Sequence, residues 1–293
     1  MKVKKAIIPA AGFGTRVLPA TKAIPKEMLP IVDKPSIQYI VEEAVRAGIE
    51  DILIITNRGK GAMEDHFDRA PELEASLKAS GKDSFYNEIL AIANLANIQF
   101  IRQKETKGLG HAVLQAKSFV GNEPFAVLYG DDVIIGENPV CGQLCEAYEK
   151  YGKGVVGIKT VSPELVAKYS SMKIDPIDGA PANHFSITDM IEKPAPGQEF
   201  SLYSILGRCV LPPEIFGIIE NTPKGAGGEI QLTDAMKTLS NTAGMIGVDF
   251  EGTRYDIGSK LGYMQANVEL ALAHPEIAGD FAEYLKGIVA GLK

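Results

Sequence analysis

The chain has 293 residues, enough for one large domain or for a domain with an appended unit. Its net charge of -7 argues against a general binder of nucleic acids or membrane surfaces, because such proteins neutralise phosphates with clustered Lys and Arg. No apolar segment approaches the roughly 20 residues that a membrane-spanning helix requires. Binding of small phosphates by a few local cations stays compatible with this composition.

The first predicted element is a buried strand in KAIIPA, followed by the glycine loop AAGFGTR. A secretory signal also begins with lysines and an apolar run, but Pro9 interrupts this run and Arg16 follows it, so it is too short and too broken. A dinucleotide fingerprint needs a third glycine and a helix directly after the loop, which Pro19 and Pro25 prevent. The loop therefore predicts an anion site formed by backbone N–H groups and Arg16, with a plain glycine turn as the alternative.

The following segments alternate between helical and strand patterns. SIQYIVEEAVRAG predicts a helix and DILIITN a strand, and the helical stretch from about Gly59 to Asn97 is interpreted as an insertion. IQFIRQ, GHAVLQAKSFV and PFAVLYGDD then repeat strand, helix and strand, as in right-handed βαβ units. After Gly154, the segments GVVGIKTV, FSITDMIEKP and SLYSILGRCVL predict antiparallel strands. The predicted fold class is α/β, with a Rossmann-like mixed, mostly parallel central sheet flanked by helices.

The three cysteines lie in the second half of the chain and form no CxxC pair: Cys141, Cys145 and Cys209. This pattern argues against a disulfide framework and predicts a cytoplasmic protein. Cys141 and Cys145 are one helical turn apart and are predicted to be buried thiols, with a metal or redox role as the alternative. The four histidines show no ligand spacing, so no zinc site is predicted.

The tail from Lys260 to Leu292 is predicted to form two helices with a break at Pro275, and Gly225 to Gly228 is predicted to be a mobile flap. The apolar side chains of the tail fit either core packing or a subunit interface. They are Leu261, Met264, Val268, Leu272, Ile277, Phe281, Leu285 and Ile288. The predicted organisation is a main domain over residues 1–259 and C-terminal helices over residues 260–293.

Charged residues follow several of the predicted strands, where ligands of open α/β sheets collect. Lys26 lies close behind the glycine loop, and Asp131 and Asp132 follow the strand that ends at Tyr129. Adjacent carboxylates at a strand end suit Mg²⁺, which binds one or two carboxylates together with phosphate oxygens. Paired acids also occur as simple turn formers, and both interpretations remain open for this pair alone.

Two further strand ends carry charge. Glu192 and Lys193 end the strand in MIEKP and are predicted to point to opposite faces if that strand is regular. Asp256 precedes Gly258 in RYDIGS. Each of these residues alone would be interpreted as a solvated surface charge. Their repeated placement at strand ends beside glycines favours one common site.

Six stretches together carry a resemblance to a known family. They are AAGFGTRVLPATKAIPKEMLPIVDKP, QKETKGLGHAV, YGDD, EKP, GGEIQLTDAM and YDIGSKLGY. From about Lys4 to about Ala273 the chain resembles the sugar-1-phosphate nucleotidylyltransferases. The first stretch and EKP are shared across that family and specify the reaction, whereas GLGHAV, GEIQLTD and DIGSKLGY favour its bacterial UTP–glucose-1-phosphate uridylyltransferase branch.

The resemblance implies that residues 1–259 are the catalytic domain and that the chain is a cytoplasmic homodimer or homotetramer. It implies transfer of a uridylyl group from UTP to α-D-glucose 1-phosphate, giving UDP-glucose and pyrophosphate by Mg²⁺-assisted in-line displacement, with neither nucleic acid nor membrane as partner. The attacking phosphate oxygen is already anionic, so the reaction needs charge neutralisation and positioning and no general base. The alternatives are a sister enzyme using dTTP or CTP, a non-catalytic regulatory subunit of the same fold and a Rossmann dehydrogenase, which the prolines disfavour.

The resemblance also implies a role for each matching residue. The residues expected to bind the nucleotide are Ala10, Ala11, Gly12, Gly14, Glu27, Gln103 and Gly108. The residues expected to act on the phosphates in catalysis are Arg16, Lys26, Asp131 and Lys193. Asp131 and Asp256 are expected to hold Mg²⁺, and the residues assigned to the sugar are Glu192, Gly207 and Asp132.

One position departs from the family pattern. Relatives usually show Tyr-Gly where this chain has Tyr169 and Ser170 in KYSSMKID. The glycine backbone would lie close to the sugar, and a side chain there would shift the loop. Ser170 is therefore not assigned to the site.

Overall fold

A nine-stranded mixed sheet forms the centre of the computed structural model, which describes residues 1–292. Lys293, the last residue of the predicted C-terminal unit, lies outside the described residues. Nine of the thirteen strands in residues 1–292 form this sheet, and the other four form the two-stranded sheets β2-β3 and β7-β13. The strands are β1 (Lys5–Pro9), β2 (Pro30–Ile31), β3 (Lys34–Pro35), β4 (Asp51–Thr56), β5 (Asn97–Arg102), β6 (Phe125–Leu128), β7 (Asp132–Ile135), β8 (Gly154–Thr160), β9 (Ser170–Pro176), β10 (His184–Glu192), β11 (Tyr203–Leu211), β12 (Met245–Asp249) and β13 (Thr253–Asp256).

Helices connect and cover these strands. They are α1 (Ser36–Arg46), α2 (Gly61–Phe67), α3 (Pro71–Ala79), α4 (Asp83–Ala93), α5 (Leu109–Leu114), α6 (Lys117–Val120), α7 (Val140–Tyr151), α8 (Pro163–Val166), α9 (Ile215–Glu220), α10 (Leu232–Ala243), α11 (Lys260–Ala273) and α12 (Ala278–Gly291). Among residues 1–292, no helix combines the length and the apolar character needed to cross a bilayer.

The strand order of the large sheet is β5-β4-β1-β6-β11-β8-β12-β10-β9. The first four strands are parallel, β11 runs antiparallel to both β6 and β8, and β10 is antiparallel to β12 and β9. The prediction of a mixed, mostly parallel sheet flanked by helices is confirmed. Every antiparallel pair of this sheet includes β11 or β10.

Both faces of the central strands are buried, which agrees with the almost continuously apolar sequences of β1, β4 and β6. Apolar side chains form one core cluster on each face of the sheet. Ile8 of β1 packs with Ile54 in the first cluster and Ile7 packs with Leu53 in the second, because successive side chains of a strand point to opposite faces. On the first face, α1 buries Ile37 together with other apolar residues spaced three and four apart.

Most predicted elements appear with small changes of boundary. The insertion before β5 consists of α2, α3 and α4, and the predicted helix GHAVLQAKSFV is divided into α5 and α6. The tail forms α11 and α12, which end and begin on either side of Pro275 as predicted. Short 3-10 turns at Thr15–Val17, Ala20–Lys22 and Lys26–Met28 replace a helix after the glycine loop, as the prolines require.

The topology gathers the candidate residues at one edge of the sheet. Because β1, β4 and β6 are parallel, the segments that follow their carboxyl ends meet there. A separate two-stranded sheet of β7 and β13 pairs Asp132 with Asp256, two residues that are far apart in sequence. The same edge of the sheet therefore carries the glycine loop together with Asp132 and Asp256.

Candidate active site

The glycine loop after β1 is held from below by hydrogen bonds to its carbonyl groups. Nζ of Lys60 donates to the carbonyl of Ala10, and the side-chain amide of Asn57 donates to that of Ala11. Both donors follow β4, the strand next to β1. The loop therefore keeps a fixed shape beside the cavity that Ala11 and Gly12 line.

Glu27 forms a buried ion pair under this loop. Its carboxylate is 0% exposed and accepts from Nζ of Lys60 at 2.9 and 2.8 Å. Burial raises the pKa of Glu27 and lowers that of Lys60, and the attraction between the two charges opposes both shifts. Sequence reasoning assigned Glu27 to the nucleotide, but the structure buries it completely, so it supports the loop from behind.

Two cations and two carboxylates form a cluster next to the loop. Nζ of Lys26 lies 2.5 Å from Oδ2 of Asp131. The Arg16 guanidinium lies 3.5 Å from the same oxygen and 3.1 Å from Oδ2 of Asp256. Burial alone would raise the pKa of Asp131, but Lys26 and Arg16 outweigh it and hold that pKa below its usual range. Asp131 is therefore a carboxylate at neutral pH.

The absence of a side chain at Gly258 leaves the space in which this cluster meets. A Cβ at that position would lie 3.0 Å from Oδ2 of Asp131 and 3.0 Å from Oδ1 of Asp256, and it would collide with the Arg16 guanidinium. Two carboxylates that face one small space suit a hard divalent cation, which prefers oxygen ligands. The predicted metal pair therefore fits such an ion. Within residues 1–292, no group of three or more His, Cys, Asp or Glu side chains is arranged to hold a metal.

Asp132 occupies a different environment from Asp131. Its Oδ1 pairs with Nη2 of Arg254 at 2.5 Å, and its carboxylate packs against Gly207, where a Cβ would lie 2.6 Å from Oδ2. Gly207 also has a φ of 72°, which a residue with a side chain adopts only under strain. Burial, together with the charges of Asp131 and Asp256, raises the pKa of Asp132, although Arg254 opposes this. The structure thus buries Asp132, which was assigned to the sugar, beneath Gly207 and outside the two cavities of the site.

A cavity of about 260 Å³ opens beside the glycine loop. Most of the residues assigned to the nucleotide and its phosphates line it: Ala11, Gly12, Lys26, Gln103, Gly108 and Asp131. Ala10 is buried below the loop, and Gly14 forms its left-handed bend with a φ of 67°. A Gln side chain, backbone groups and a lysine around one cavity provide hydrogen bonds for a base and a positive charge for phosphates.

A smaller cavity of about 90 Å³ adjoins the first and shares Leu109 and Tyr129 with it. Glu192 lines this second cavity, and its Oε2 accepts a hydrogen bond from Oγ1 of Thr233 at 2.7 Å. Burial raises the pKa of Glu192, while Thr233 opposes the shift. The remaining carboxylate oxygen can accept from the hydroxyl of a small polar ligand.

Lys193 lies at the edge of the site with its side chain 48% exposed. Strand β10 ends at Glu192, and Lys193 adopts a left-handed φ of 47°. Glu192 and Lys193 were predicted to point to opposite faces if the strand was regular, but the strand ends before Lys193. Their charged groups lie 4.0 Å apart. The backbone N–H of Lys193 donates to the carbonyl of Tyr169 at 2.8 Å, which fixes this unusual conformation.

Ser170 lines the small cavity but directs its hydroxyl elsewhere. Its Oγ accepts from the backbone N–H of Ile205 at 3.1 Å, at the point where the pairing of β11 with β8 becomes irregular. The side chain of Ser170 thus supplies a hydrogen bond that the irregular strand requires.

Several residues of the site were missed by sequence reasoning. Tyr169 donates to Oδ2 of Asp256 at 3.2 Å and accepts from Arg254 at 3.3 Å, so it connects the two carboxylates Asp132 and Asp256. Lys60 lies between two glycines shortly after β4, so it could have been predicted by the same rule that led to the other charged residues at strand ends. The contacts of Tyr169 and Arg254 cross long stretches of sequence and leave no local pattern.

Comparison with known proteins identifies the family. The Nucleotidyl transferase family model matches residues 5–272, and this family generally uses a divalent metal ion. The UTP–glucose-1-phosphate uridylyltransferase YngB of Bacillus subtilis is 51% identical over 288 residues, covering 98% of this chain and 96% of that protein. A second UTP–glucose-1-phosphate uridylyltransferase of Bacillus subtilis is 50% identical and covers 98% of each chain.

Solved structures agree with the sequence comparison. A UTP-bound UGPase from Acinetobacter baumannii is 38% identical with a TM-score of 0.89, covering 99% of this chain and 100% of that one. A UDP-glucose pyrophosphorylase complexed with UDP-glucose is 42% identical with a TM-score of 0.83, covering 93% of this chain and 100% of that one. The chain therefore belongs to the nucleotidyl transferase family and, within it, to the UTP–glucose-1-phosphate uridylyltransferases.

Proposed function

We propose that this protein transfers the uridylyl group of UTP to α-D-glucose 1-phosphate, with UDP-glucose and pyrophosphate as products. The observation that carries the proposal is the pair of adjoining cavities that share Leu109 and Tyr129, beside a cluster of cations and carboxylates. The family relationship supports the same reaction, because relatives about 50% identical over the whole chain carry its name.

The larger cavity is the proposed nucleotide site. Gly12 lets the backbone approach the triphosphate, and Gln103 with Gly108 binds the base. Arg16 and Lys26 hold the phosphates that leave. These two cations pair with Asp131 and Asp256, so a triphosphate has to take them over from the carboxylates.

Asp131 and Asp256 are the proposed ligands of Mg²⁺, which in its bound form neutralises phosphate charge and fixes the phosphate oxygens. With Arg16 and Lys26 on phosphate oxygens, the carboxylates of Asp131 and Asp256 would be free to hold Mg²⁺, so that neither charge would be left without a partner. Tyr169 keeps Asp256 oriented during this exchange through its hydroxyl group.

The smaller cavity is the proposed sugar site. Glu192 accepts hydrogen bonds from sugar hydroxyls, the backbone at Gly207 lies against the sugar, and Lys193 binds the sugar phosphate from the edge of the cavity. The phosphate oxygen attacks the α-phosphorus of UTP in line with the leaving pyrophosphate, and no general base is required because that oxygen is already anionic. Holding the two substrates in this geometry can lower the barrier by roughly 7–11 kcal/mol.

The C-terminal helices are the proposed subunit interface of a homodimer or homotetramer. None of the residues of α12 is buried, and large apolar side chains of α11 and α12 lie exposed. Those with the largest exposed fractions are Leu261, Met264, Tyr284 and Val289. Covering them with a second copy would remove apolar surface from water. With residues 260–293 forming the interface, residues 1–259 would be the catalytic domain of each subunit.

The proposed compartment is the cytoplasm. Cys141, Cys145 and Cys209 are buried free thiols, and unpaired thiols are usual where the environment is reducing.

A panel of nucleotides tests the proposed reaction. The purified protein is mixed with Mg²⁺, glucose 1-phosphate and UTP, CTP or dTTP in separate reactions, and nucleotide sugar and pyrophosphate are quantified by chromatography. We expect UDP-glucose and pyrophosphate in equal amounts, with UTP the preferred triphosphate. Absence of UDP-glucose, or a clear preference for CTP or dTTP, would reject the proposal.

A further inference from the structure

The orientation of the Gln103 side chain is determined by two neighbours in the nucleotide cavity. Its Nε2 lies 3.3 Å from the carbonyl oxygen of Gly108 and 2.9 Å from Nδ1 of His111. A carbonyl oxygen can only accept a hydrogen bond, so the nitrogen end of the carboxamide has to face this pair. Nδ1 of His111 must then accept as well, which requires a neutral imidazole with its proton on Nε2.

The other contact of the imidazole is weaker. Nε2 of Gln115 lies 3.4 Å from Nε2 of His111, beyond the usual length of a hydrogen bond, and donates to the His111 carbonyl at 3.1 Å instead. The contact between Gln103 and His111 therefore decides the tautomer. His111 is held in place by helix α5, whose start is anchored by the hydrogen bond from Gly110 N–H to the Ile230 carbonyl at 2.9 Å.

The oxygen end of the Gln103 carboxamide is left for the ligand. Gln103 lines the cavity, and among residues 1–292 no side chain or backbone group donates to its Oε1. A base that brings a ring N–H to this oxygen gains a hydrogen bond, whereas a base with a lone pair at that position is repelled. Uracil carries hydrogen on N3, and cytosine carries a lone pair there.

We propose that His111 is a specificity-determining residue that positions Oε1 of Gln103 for the N3–H of uracil and thereby favours UTP over CTP. The inference rests on the proposed function, because it concerns the nucleotide of the same reaction. Thymine also carries hydrogen on N3, so this arrangement does not separate UTP from dTTP. That difference provides an internal control.

Two substitutions separate the hydrogen bond from the volume of the side chain. His111→Leu removes the acceptor, and His111→Asn keeps an acceptor oxygen close to the place of Nδ1. The measurement is kcat/KM for UTP, CTP and dTTP with glucose 1-phosphate as second substrate. We expect His111→Leu to lower the UTP:CTP ratio roughly tenfold, because only the 3.3 Å contact with the Gly108 carbonyl then holds the nitrogen end of the carboxamide, and to leave the UTP:dTTP ratio within about twofold. His111→Asn should keep the wild-type UTP:CTP ratio.

An unchanged UTP:CTP ratio in His111→Leu would overturn the inference, and so would an equal fall in both ratios, which indicates general damage to the pocket. Loss of the UTP preference in His111→Asn would also count against it. Failure of the proposed function would be recognised separately, because the wild-type protein itself would then form no UDP-glucose.

The pH dependence of the UTP:CTP ratio gives a second test. Burial and the ammonium of Lys107 lower the pKa of His111, while Glu105 opposes them, and Glu229 approaches from the segment packed against Gly108. Below that pKa, Nδ1 becomes a donor and attracts the oxygen of the carboxamide, which turns Nε2 towards the base. We expect the wild-type UTP:CTP ratio to fall as the pH drops below the ordinary imidazole value of about 6.5, and to fall by a larger factor than in His111→Asn, which has no imidazole to protonate. An equal pH dependence of the ratio in both proteins would contradict the inference.

Discussion

Lys193 adopts a left-handed backbone conformation directly after β10, although it carries a long side chain. Such conformations cost on the order of 1–3 kcal/mol and persist where the surroundings impose them. Here the hydrogen bond to the Tyr169 carbonyl imposes it, and the half-exposed ammonium lies 4.0 Å from the carboxylate of Glu192, which lines the smaller cavity. An accessible cation next to this cavity suits the proposed role of binding the sugar phosphate.

Lys193→Ala should therefore lower kcat roughly a hundredfold and raise the KM for glucose 1-phosphate more than that for UTP, because the charge matters most as the two substrates approach each other. Glu192→Ala should mainly raise the KM for the sugar phosphate, since contacts to hydroxyls are similar in ground and transition states. Steady-state kinetics with both substrates varied measures the difference. A Lys193→Ala enzyme within about threefold of wild type would end the assignment.

Asp131 is the carboxylate on which the charge cluster depends. Asp131→Asn leaves a poorer metal ligand and removes the partner of Lys26, so turnover should fall at least roughly a hundredfold while the fold is kept. The Mg²⁺ concentration needed for half-maximal activity should rise. The control is Asp33→Asn, an exposed carboxylate whose one side-chain partner within residues 1–292 is His274, and it should behave as wild type. Near-normal turnover of Asp131→Asn at low Mg²⁺ would remove Asp131 from the metal site.

At the scale of elements, the Ser170 hydroxyl compensates for the irregular pairing of β11. Ser170→Gly should lower the free energy of unfolding by about 1–3 kcal/mol, because the buried N–H of Ile205 loses its acceptor and the chain gains freedom. Ser170→Ala removes the same acceptor without adding backbone freedom and should cost less. Urea denaturation measures both. Equal stability of all three proteins would show that the hydrogen bond contributes nothing.

The strands and helices could largely be predicted from the sequence, because local patterns encode them. The apolar run of β1, the helical spacing of α1 and the break at Pro275 all depend on neighbours within a few residues. The irregular end of β10 could not be predicted, since the left-handed conformation of Lys193 is imposed by the carbonyl of Tyr169, 24 positions earlier in the numbering. Pairing of Asp256 with Arg16 likewise depends on the assembled sheet.

The candidate site was predictable as a set of residues and only partly as an arrangement. Motif positions led to Lys26, Asp131 and Glu192, which line the two cavities. They did not separate Asp131 from Asp132, because neighbouring residues in sequence have different partners once Arg254 and Gly207 are brought alongside. Burial decides which acid can reach a ligand, and burial is a property of the whole fold.

At the scale of the molecule, the exposed apolar side chains of α11 and α12 predict self-association. Light scattering at micromolar concentration should give the mass of a dimer or tetramer. Leu261→Asp combined with Val289→Asp should shift it towards the monomer, because two charges would have to be desolvated in the interface. The control is Leu73→Asp on α3, where a comparably exposed leucine lies outside this face. A monomeric mass for the wild-type protein would remove the proposed interface.

In the proposed reaction, a phosphate oxygen of glucose 1-phosphate displaces pyrophosphate from the α-phosphorus of UTP across the two adjoining cavities. Glucose 1-phosphate labelled with ¹⁸O at all its phosphate oxygens tests this step, with the products analysed by mass spectrometry. We expect the whole label to be retained in UDP-glucose and the pyrophosphate to carry none. Label in pyrophosphate, or release of labelled inorganic phosphate together with the nucleotide sugar, would contradict it.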